Sequence, residues 1–378
     1  MIVEVRRANT RNKGAELMLR AIVAELRPEY RIAAAPRTGP YEERAALGLL
    51  QKVDGHRVPD GVVGLVESAL PSAARRLLLS KFGLVFDGDV GAILDASGFA
   101  YSDQRNLEHS LLTARKLTRA KRGGKPVILL PQALGPFESP AHREAFVRIV
   151  DNSDIVYARE RMSFRNAVAT GCRTDRLRLA PDFTCLLDGA IPPGFTPSNR
   201  LALVVPSEKL LTKTPIETRN AYLPFMAMVV DVLREEGFDV CLLVHDRDDA
   251  QTANALQARL RAPARVVRHD SALHLKGVIG SARLVVGSRF HALVSALSQG
   301  VPALAIGWSH KYEMLFADYD CVDHVVNPLM DRDALTELVR AMAEGSLREQ
   351  TVAALHRQVT KQREGAREMW SEIKAVLG

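Results

Sequence analysis

The stretch that most constrains the fold is Gly287 to Lys311, GSRFHALVSALSQGVPALAIGWSHK. Just ahead of it, Leu284, Val285 and Val286 form an apolar run of strand character that Gly287 breaks. Ser288 falls where a helix N-cap belongs, and Arg289, Phe290 and His291 open the helix. Gly300 stops that helix and Pro302 follows. A second strand, Ala303 to Ile306, ends at Gly307. Trp308, Ser309, His310 and Lys311 then lead into a short helical stretch, Tyr312 to Phe316. The predicted unit is βαβα with two polar turns.

Helical crossovers join parallel strands, so both turns are expected beyond the carboxyl ends of neighbouring strands, on the rim where open α/β sheets bind ligands. A helix N-terminus supplies backbone N–H groups and partial positive charge, to which Arg289 adds a planar fork and Lys311 a second cation. The expected ligand is an anion.

The rest of the chain sets the frame for that unit. At 378 residues it exceeds one ordinary core, and the proline- and glycine-rich Asp188 to Asn199 reads as a linker. The expected division is a first domain over 1–187, a linker over 188–199 and a second domain over 200–345. The polar helical stretch 346–378 is expected to return to the first domain, by analogy with two-domain transferases. Apolar residues at 47% and charged residues at 25% argue against a disordered chain, and no apolar run reaches the roughly 20 residues of a spanning helix. Met1 to Val5 reads as a strand rather than a signal peptide, so the expected location is the cytoplasm.

Cys172, Cys185, Cys241 and Cys321 form no CxxC pair, as expected for buried reduced thiols rather than zinc or disulfides. The net charge of +7 suits an acidic partner. Its basic residues are dispersed over helices without interleaved aromatics, so nucleic acid is not expected.

Ser288-Arg289-x-His291-Ala292, Gly300-Val301-Pro302 and the Lys311 turn resemble the C-terminal signature of the polysaccharide pyruvyl transferase family. The resemblance implies two Rossmann-like domains facing across a cleft in a GT-B-like arrangement, an acceptor-side first domain and a donor-binding second one. It also implies transfer of the enolpyruvyl unit of phosphoenolpyruvate to sugar hydroxyls of a polysaccharide or its lipid-linked precursor, as a ketal, with no cofactor. On that reading Arg289 holds the donor carboxylate or phosphate and Lys311 neutralises the leaving phosphate. His291 donates a proton or a phosphate hydrogen bond, His310 is the alternative acid, and Ser288 and Ser309 bind substrate. No metal is called for.

Further matches lie upstream. Asn12, Gly14 and Glu16 resemble a family turn, with Ala15 where an acid is common; they bind the acceptor sugar, or Glu16 merely complements a helix dipole. Asp95 and Asp103 flank a turn that departs from the family's glycine run, and each either assists a sugar hydroxyl or caps a helix. Gln132 sits in a segment resembling Pro-Gln-x-x-Gly-Pro-Phe. Arg159, ahead of Glu160 and Ser163, clamps anions or pairs with Glu160. His245 is expected to face the donor, while the acids at 246, 248 and 249 cap the next helix rather than bind metal.

Leu70 to Phe86 combines three basic residues with a leucine-rich face. It reads as a core helix with snorkelling ends, or as one lying at the inner membrane face near a lipid-linked acceptor. Two rival readings of the whole stand beside pyruvyl transfer: a GT-B-like glycosyltransferase with a nucleotide-sugar donor, and a non-catalytic sugar- or phosphate-binding protein.

Overall fold

Runs of consecutive apolar residues, not alternating ones, supply the central strands. Val127–Gln132 reads VILLPQ, Leu201–Val205 LALVV and Leu284–Gly287 LVVG, with every residue buried. That pattern suits parallel strands covered on both faces. Every strand pairing in the computed structural model is parallel. The structure describes residues 1–54, 60–307 and 309–378, with the side chains of Asp60 and Gly61 left aside. Trp308 of the second polar turn lies outside the described residues.

The chain forms two units, each a parallel α/β sheet of Rossmann-like type. The first comprises Met1–Arg11, Met18–Phe183 and Ala366–Gly378, the second Asn12–Leu17 and Thr184–Gly365. Along the chain to residue 183 run β1 (Ile2–Arg6), α1 (Lys13–Leu26), β2 (Arg31–Ala34), α2 (Tyr41–Ala46), β3 (Leu50–Lys52), α3 (Asp60–Ala69) and α4 (Ser72–Phe82). They are followed by β4 (Leu84–Val85), β5 (Ala92–Asp95), α5 (Leu107–Arg122), β6 (Val127–Gln132), α6 (Pro140–Asp151), β7 (Ile155–Ala158), α7 (Arg161–Val168) and β8 (Leu177–Leu179). The sheet order is β4-β3-β2-β1-β5-β6-β7-β8, so strand order reverses between β1 and β5.

The second unit carries β9 (Leu201–Val205), α8 (Glu208–Thr212), α9 (Ile216–Glu235), β10 (Asp239–Val244), α10 (Ala250–Gln257), β11 (Arg265–Arg268) and α11 (Ala272–Gly280). Then come β12 (Leu284–Gly287), α12 (Phe290–Leu297), β13 (Ala303–Ile306), α13 (Lys311–Asp318), β14 (Val325–Val326), α14 (Arg332–Ala343) and α15 (Ser346–Leu377). Its order, β11-β10-β9-β12-β13-β14, reverses between β9 and β12. Side chains alternate along a strand, and β9 shows the result. Leu201, Leu203 and Val205 join one core with Leu293, Leu297 and Phe316, whereas Ala202 and Val204 join another with Met226, Val230 and Leu335.

Two features bear on the sequence reading. Asp188 to Asn199 holds neither helix nor strand, and Ala190 N–H donates to the Leu273 carbonyl at 3.0 Å. In α15, residues to Gly365 count with the second unit and those from Ala366 with the first. There Trp370 is buried edge-on against Phe183 at 5.5 Å, and Glu372 accepts from the Tyr157 hydroxyl at 2.6 Å. The core-helix reading of Leu70 to Phe86 holds only in part: Leu79 packs against the first unit's core, and Val85 and Phe86 beyond the helix are buried. No residue of α4 is buried, because its leucines are consecutive rather than spaced along one face. All four cysteines are buried and none is in a disulfide.

Candidate functional site

β12 and β13 are parallel neighbours, so the turns that follow them emerge on one rim of the second sheet. Ser207 after β9 and His245 to Asp249 after β10 leave the same edge.

Ser288 is not the cap the sequence suggested. The N-cap of α12 is Arg289, in extended backbone and without a side-chain cap, while Ser288 is wholly buried. Its hydroxyl accepts from Tyr222 at 2.9 Å and its carbonyl from the Tyr312 hydroxyl at 2.8 Å. The Tyr222 oxygen in turn accepts from the Ser207 N–H at 2.9 Å. Burial raises the Tyr222 pKa well above the usual phenol range, so it stays a donor. Ser288 therefore fastens its turn to α9 and α13.

Arg289 is engaged by the turn that follows β10, where the sequence has it facing a ligand. Nε and Nη2 donate to the two oxygens of Asp249, both at 2.6 Å, and Nη1 lies 3.1 Å from Asp246 Oδ2. Asp249 also accepts the Glu208 and Asp246 N–H groups at 3.0 and 3.2 Å. Asp246 completes the network by accepting from Asn12 Nδ2 and the Lys13 N–H, both at 2.9 Å. Burial opposes ionisation of Asp246, but His245, the Arg289 charge and the Lys13 N–H outweigh it and hold its pKa well below the carboxylate range. The one guanidinium thus lies between two buried carboxylates.

Asn12 and Glu16 belong to the same framework. Asn12 Oδ1 caps α1 by accepting from the Ala15 N–H at 3.0 Å. Glu16 bonds Lys13 Nζ at 3.0 Å and accepts the first amide of α11, Ala272, at 3.2 Å. Gly14 serves close approach: a β-carbon there would fall 2.1 Å from His291 Nδ1 and 2.5 Å from its Cγ.

On the same rim lie His291, Lys311, Ser309 and His310. The His291 ring meets Phe290 edge-on at 5.4 Å, and Lys311 Nζ stands over the Phe290 ring at 5.3 Å and over Tyr312 at 5.4 Å. One phenylalanine therefore gathers the imidazole and the ammonium. Ser309 Oγ and His310 Nε2 have no hydrogen-bond partner among the described residues. His245 is buried, with Nδ1 3.9 Å from Asp246.

In the first unit the strand-order reversal holds Asp95 at the end of β5. It is buried, bonded by the Ser97 N–H (3.0 Å), the Ser97 hydroxyl and the Tyr101 hydroxyl (2.8 Å), with Arg7 Nε 3.7 Å away. Burial first, then the Asp95 charge, raises the Tyr101 pKa well above normal. Arg7 and Tyr101 are not singled out by the sequence, although the basic pair Arg6-Arg7 at the end of β1 is a usable signal. Asp103 accepts the Glu138 N–H at 2.6 Å and organises the loop before α6. Arg159 lies 3.5 Å from Asp182, and Glu160 caps α7 by accepting the Ser163 N–H at 2.9 Å. Gln132, at the end of β6, is fully buried, and neither of its amide atoms has a hydrogen-bond partner among the described residues. Among the described residues no three His, Cys, Asp or Glu side chains gather as a metal ion would need.

A family model described as polysaccharide pyruvyl transferase matches residues 12–310. The amylovoran biosynthesis protein AmsJ of Erwinia amylovora is 23% identical over 248 residues, 58% of this chain and 57% of AmsJ, so the match spans little more than half of that relative. Among solved structures, Anabaena HepE in complex with UDP and glucose is similar at TM-score 0.60 and 12% identity, covering 100% of this chain and 98% of HepE. The UDP-N-acetylglucosamine 2-epimerase of Rickettsia bellii is similar at TM-score 0.57 and 12% identity, covering 100% and 96%. At these identities the likeness shows the fold alone.

Proposed function

The chain belongs to the polysaccharide pyruvyl transferase family, and from that premise we propose that it transfers the enolpyruvyl unit of phosphoenolpyruvate to sugar hydroxyls of a polysaccharide or its precursor. The observation that carries this reading is the pairing of His291 and Lys311 about Phe290 on the carboxyl rim of the second sheet. A proton donor and a cation are the two things this donor requires.

Phosphoenolpyruvate offers a methylene carbon that must gain a proton and a phosphate that must leave. His291, as imidazolium, protonates that methylene, and C2 becomes electrophilic. A sugar hydroxyl adds to C2 and its proton restores the imidazolium. The bond from C2 to the phosphate oxygen then breaks, with Lys311 meeting the departing charge. A second hydroxyl adds to C2 and its proton goes to phosphate. One donor and two hydroxyls thus become a pyruvate ketal and inorganic phosphate, with every proton accounted for. Ser309 and His310 add donors at the phosphate, while Arg289, held by Asp249, keeps the His291 turn in place.

Thermal unfolding with and without phosphoenolpyruvate tests the donor. A ligand bound only by the native state at a hundred times its Kd adds about 2.7 kcal/mol. Lys311→Ala should remove that protection. His291→Ala should keep it while phosphate release falls by about a hundredfold or more. Because the fold is shared with HepE, whose structure holds UDP and glucose, UDP-glucose is the control. Protection by UDP-glucose alone, with glucose appearing in product, would establish the glycosyltransferase reading instead.

A further inference from the structure

α3 turns its apolar side outward. Val62, Leu65, Val66 and Ala69, at helical spacing, are all exposed, Leu65 by 70%. Next to it α4 exposes Leu77 and Phe82, the latter by 68%, together with Arg76 and Lys81. The two helices are tied by Arg75, whose Nη2 lies 3.6 Å from Glu67 and 2.7 Å from Asp89. This is an apolar patch held in place rather than a frayed segment.

Its border is basic. The exposed stripe of α5 runs Leu112, Arg115, Arg119, Arg122 after Glu108. A β-carbon on Gly64 of α3 would lie 3.9 Å from Arg119 Nη2, so this stripe adjoins the apolar face. None of Arg76, Lys81, Arg115, Arg119 and Arg122 forms an ion pair among the described residues. Five cations beside outward leucine, valine and phenylalanine side chains match a surface that is anionic at its headgroups and apolar beneath. A second copy of the chain, docked about a two-fold axis, would set these cations against one another. No described helix is long and apolar enough to cross a membrane, so the contact is peripheral.

We propose that α3, α4 and the arginine stripe of α5 seat the protein on an anionic lipid bilayer. The inference is independent of the donor chemistry, because its readout needs no turnover. The full chain is floated with vesicles of phosphatidylcholine alone, or of phosphatidylcholine mixed with phosphatidylglycerol. Binding is expected with the anionic vesicles only, and release as salt screens the charges. Each arginine near the surface contributes about fivefold in partition, so Arg115→Glu, Arg119→Glu and Arg122→Glu together should weaken binding by a hundredfold or more. Leu65→Glu with Phe82→Glu should abolish binding and leave Tm unchanged, since neither side chain is buried. Failure to float with anionic vesicles overturns the proposal. So does a concentration-dependent dimer in sedimentation that the same leucine and phenylalanine changes dissolve, which would assign the patch to a second copy.

Discussion

Gly14→Ala isolates the contact that sets the His291 imidazole. A methyl group at 2.1 Å from Nδ1 and 2.6 Å from Cε1 cannot coexist with the ring, since ordinary contacts between such atoms are about 3.5 to 4.0 Å. The imidazole must withdraw by about 1 Å or more, or α1 must shift. Overpacking of this kind costs about 1 to 3 kcal/mol. Gly14 has an ordinary backbone conformation near the start of α1, so without the ring alanine should be favoured there by up to about 1 kcal/mol. The two changes combined, Gly14→Ala with His291→Ala, should therefore couple by about 2 to 4 kcal/mol, measured as a double-mutant cycle in urea. In the presence of His291, a displacement of about 1 Å at a reacting group is expected to lower kcat/KM for phosphate release about a hundredfold. Phosphoenolpyruvate protection should survive, because Lys311 is untouched. Additive stabilities together with normal turnover in Gly14→Ala would refute the reasoning, since the ring would then have had room all along.

Removing the Arg289 fork distinguishes a positioning group from a ligand clamp. Arg289→Leu leaves the buried Asp249 and Asp246 uncompensated and should destabilise by about 3 to 5 kcal/mol in urea; full stability with lost donor protection would reinstate the clamp. His324 offers a pH test, because burial lowers its pKa despite the nearby Asp323. The unfolded chain, with a histidine pKa of about 6.5, then binds more protons as the pH falls. The contribution is complete above that value and lost toward the lower folded pKa. His324→Gln should flatten the decline of Tm between pH 7 and 5, and parallel curves for the two proteins would contradict this assignment. The contribution of Asp246, whose pKa is also lowered, is complete above the ordinary carboxylate pKa and is lost as the pH falls from there toward the lower folded pKa, so its loss lies below the window in which His324 is read.

The βαβα stretch was legible because its punctuation is local: Gly287 ends a strand, Gly300 takes a left-handed conformation after α12, and Ala303–Ile306 is the predicted strand. Chemistry that depends on distant partners was not. Nothing near Ser288 announces Tyr222, 66 positions away, and nothing near Asn12 announces Asp246. The acids after β10 do cap the turn that leads into α10, Asp246 and Asp249 forming a capping box, but nothing near them announces that Asp249 also binds Arg289 and Asp246 the start of α1. Leucine content misled at α4, where consecutive apolar residues cannot share one face. Arg7 went unnoticed because it stands before any recognisable motif, although it follows β1 at the reversal of strand order.

The C-terminal segment limits how this chain can be dissected. A fragment cut after residue 183 would carry all eight strands of the first sheet yet lack Ala366–Gly378. Phe183 would lose the face of Trp370, the Tyr157 hydroxyl and Arg178 would lose Glu372, and Glu29 would lose Lys374. A crosslinking or NMR study of that half alone should therefore begin from a spliced gene, with the last thirteen codons joined behind codon 183 through a flexible spacer, rather than from a simple truncation.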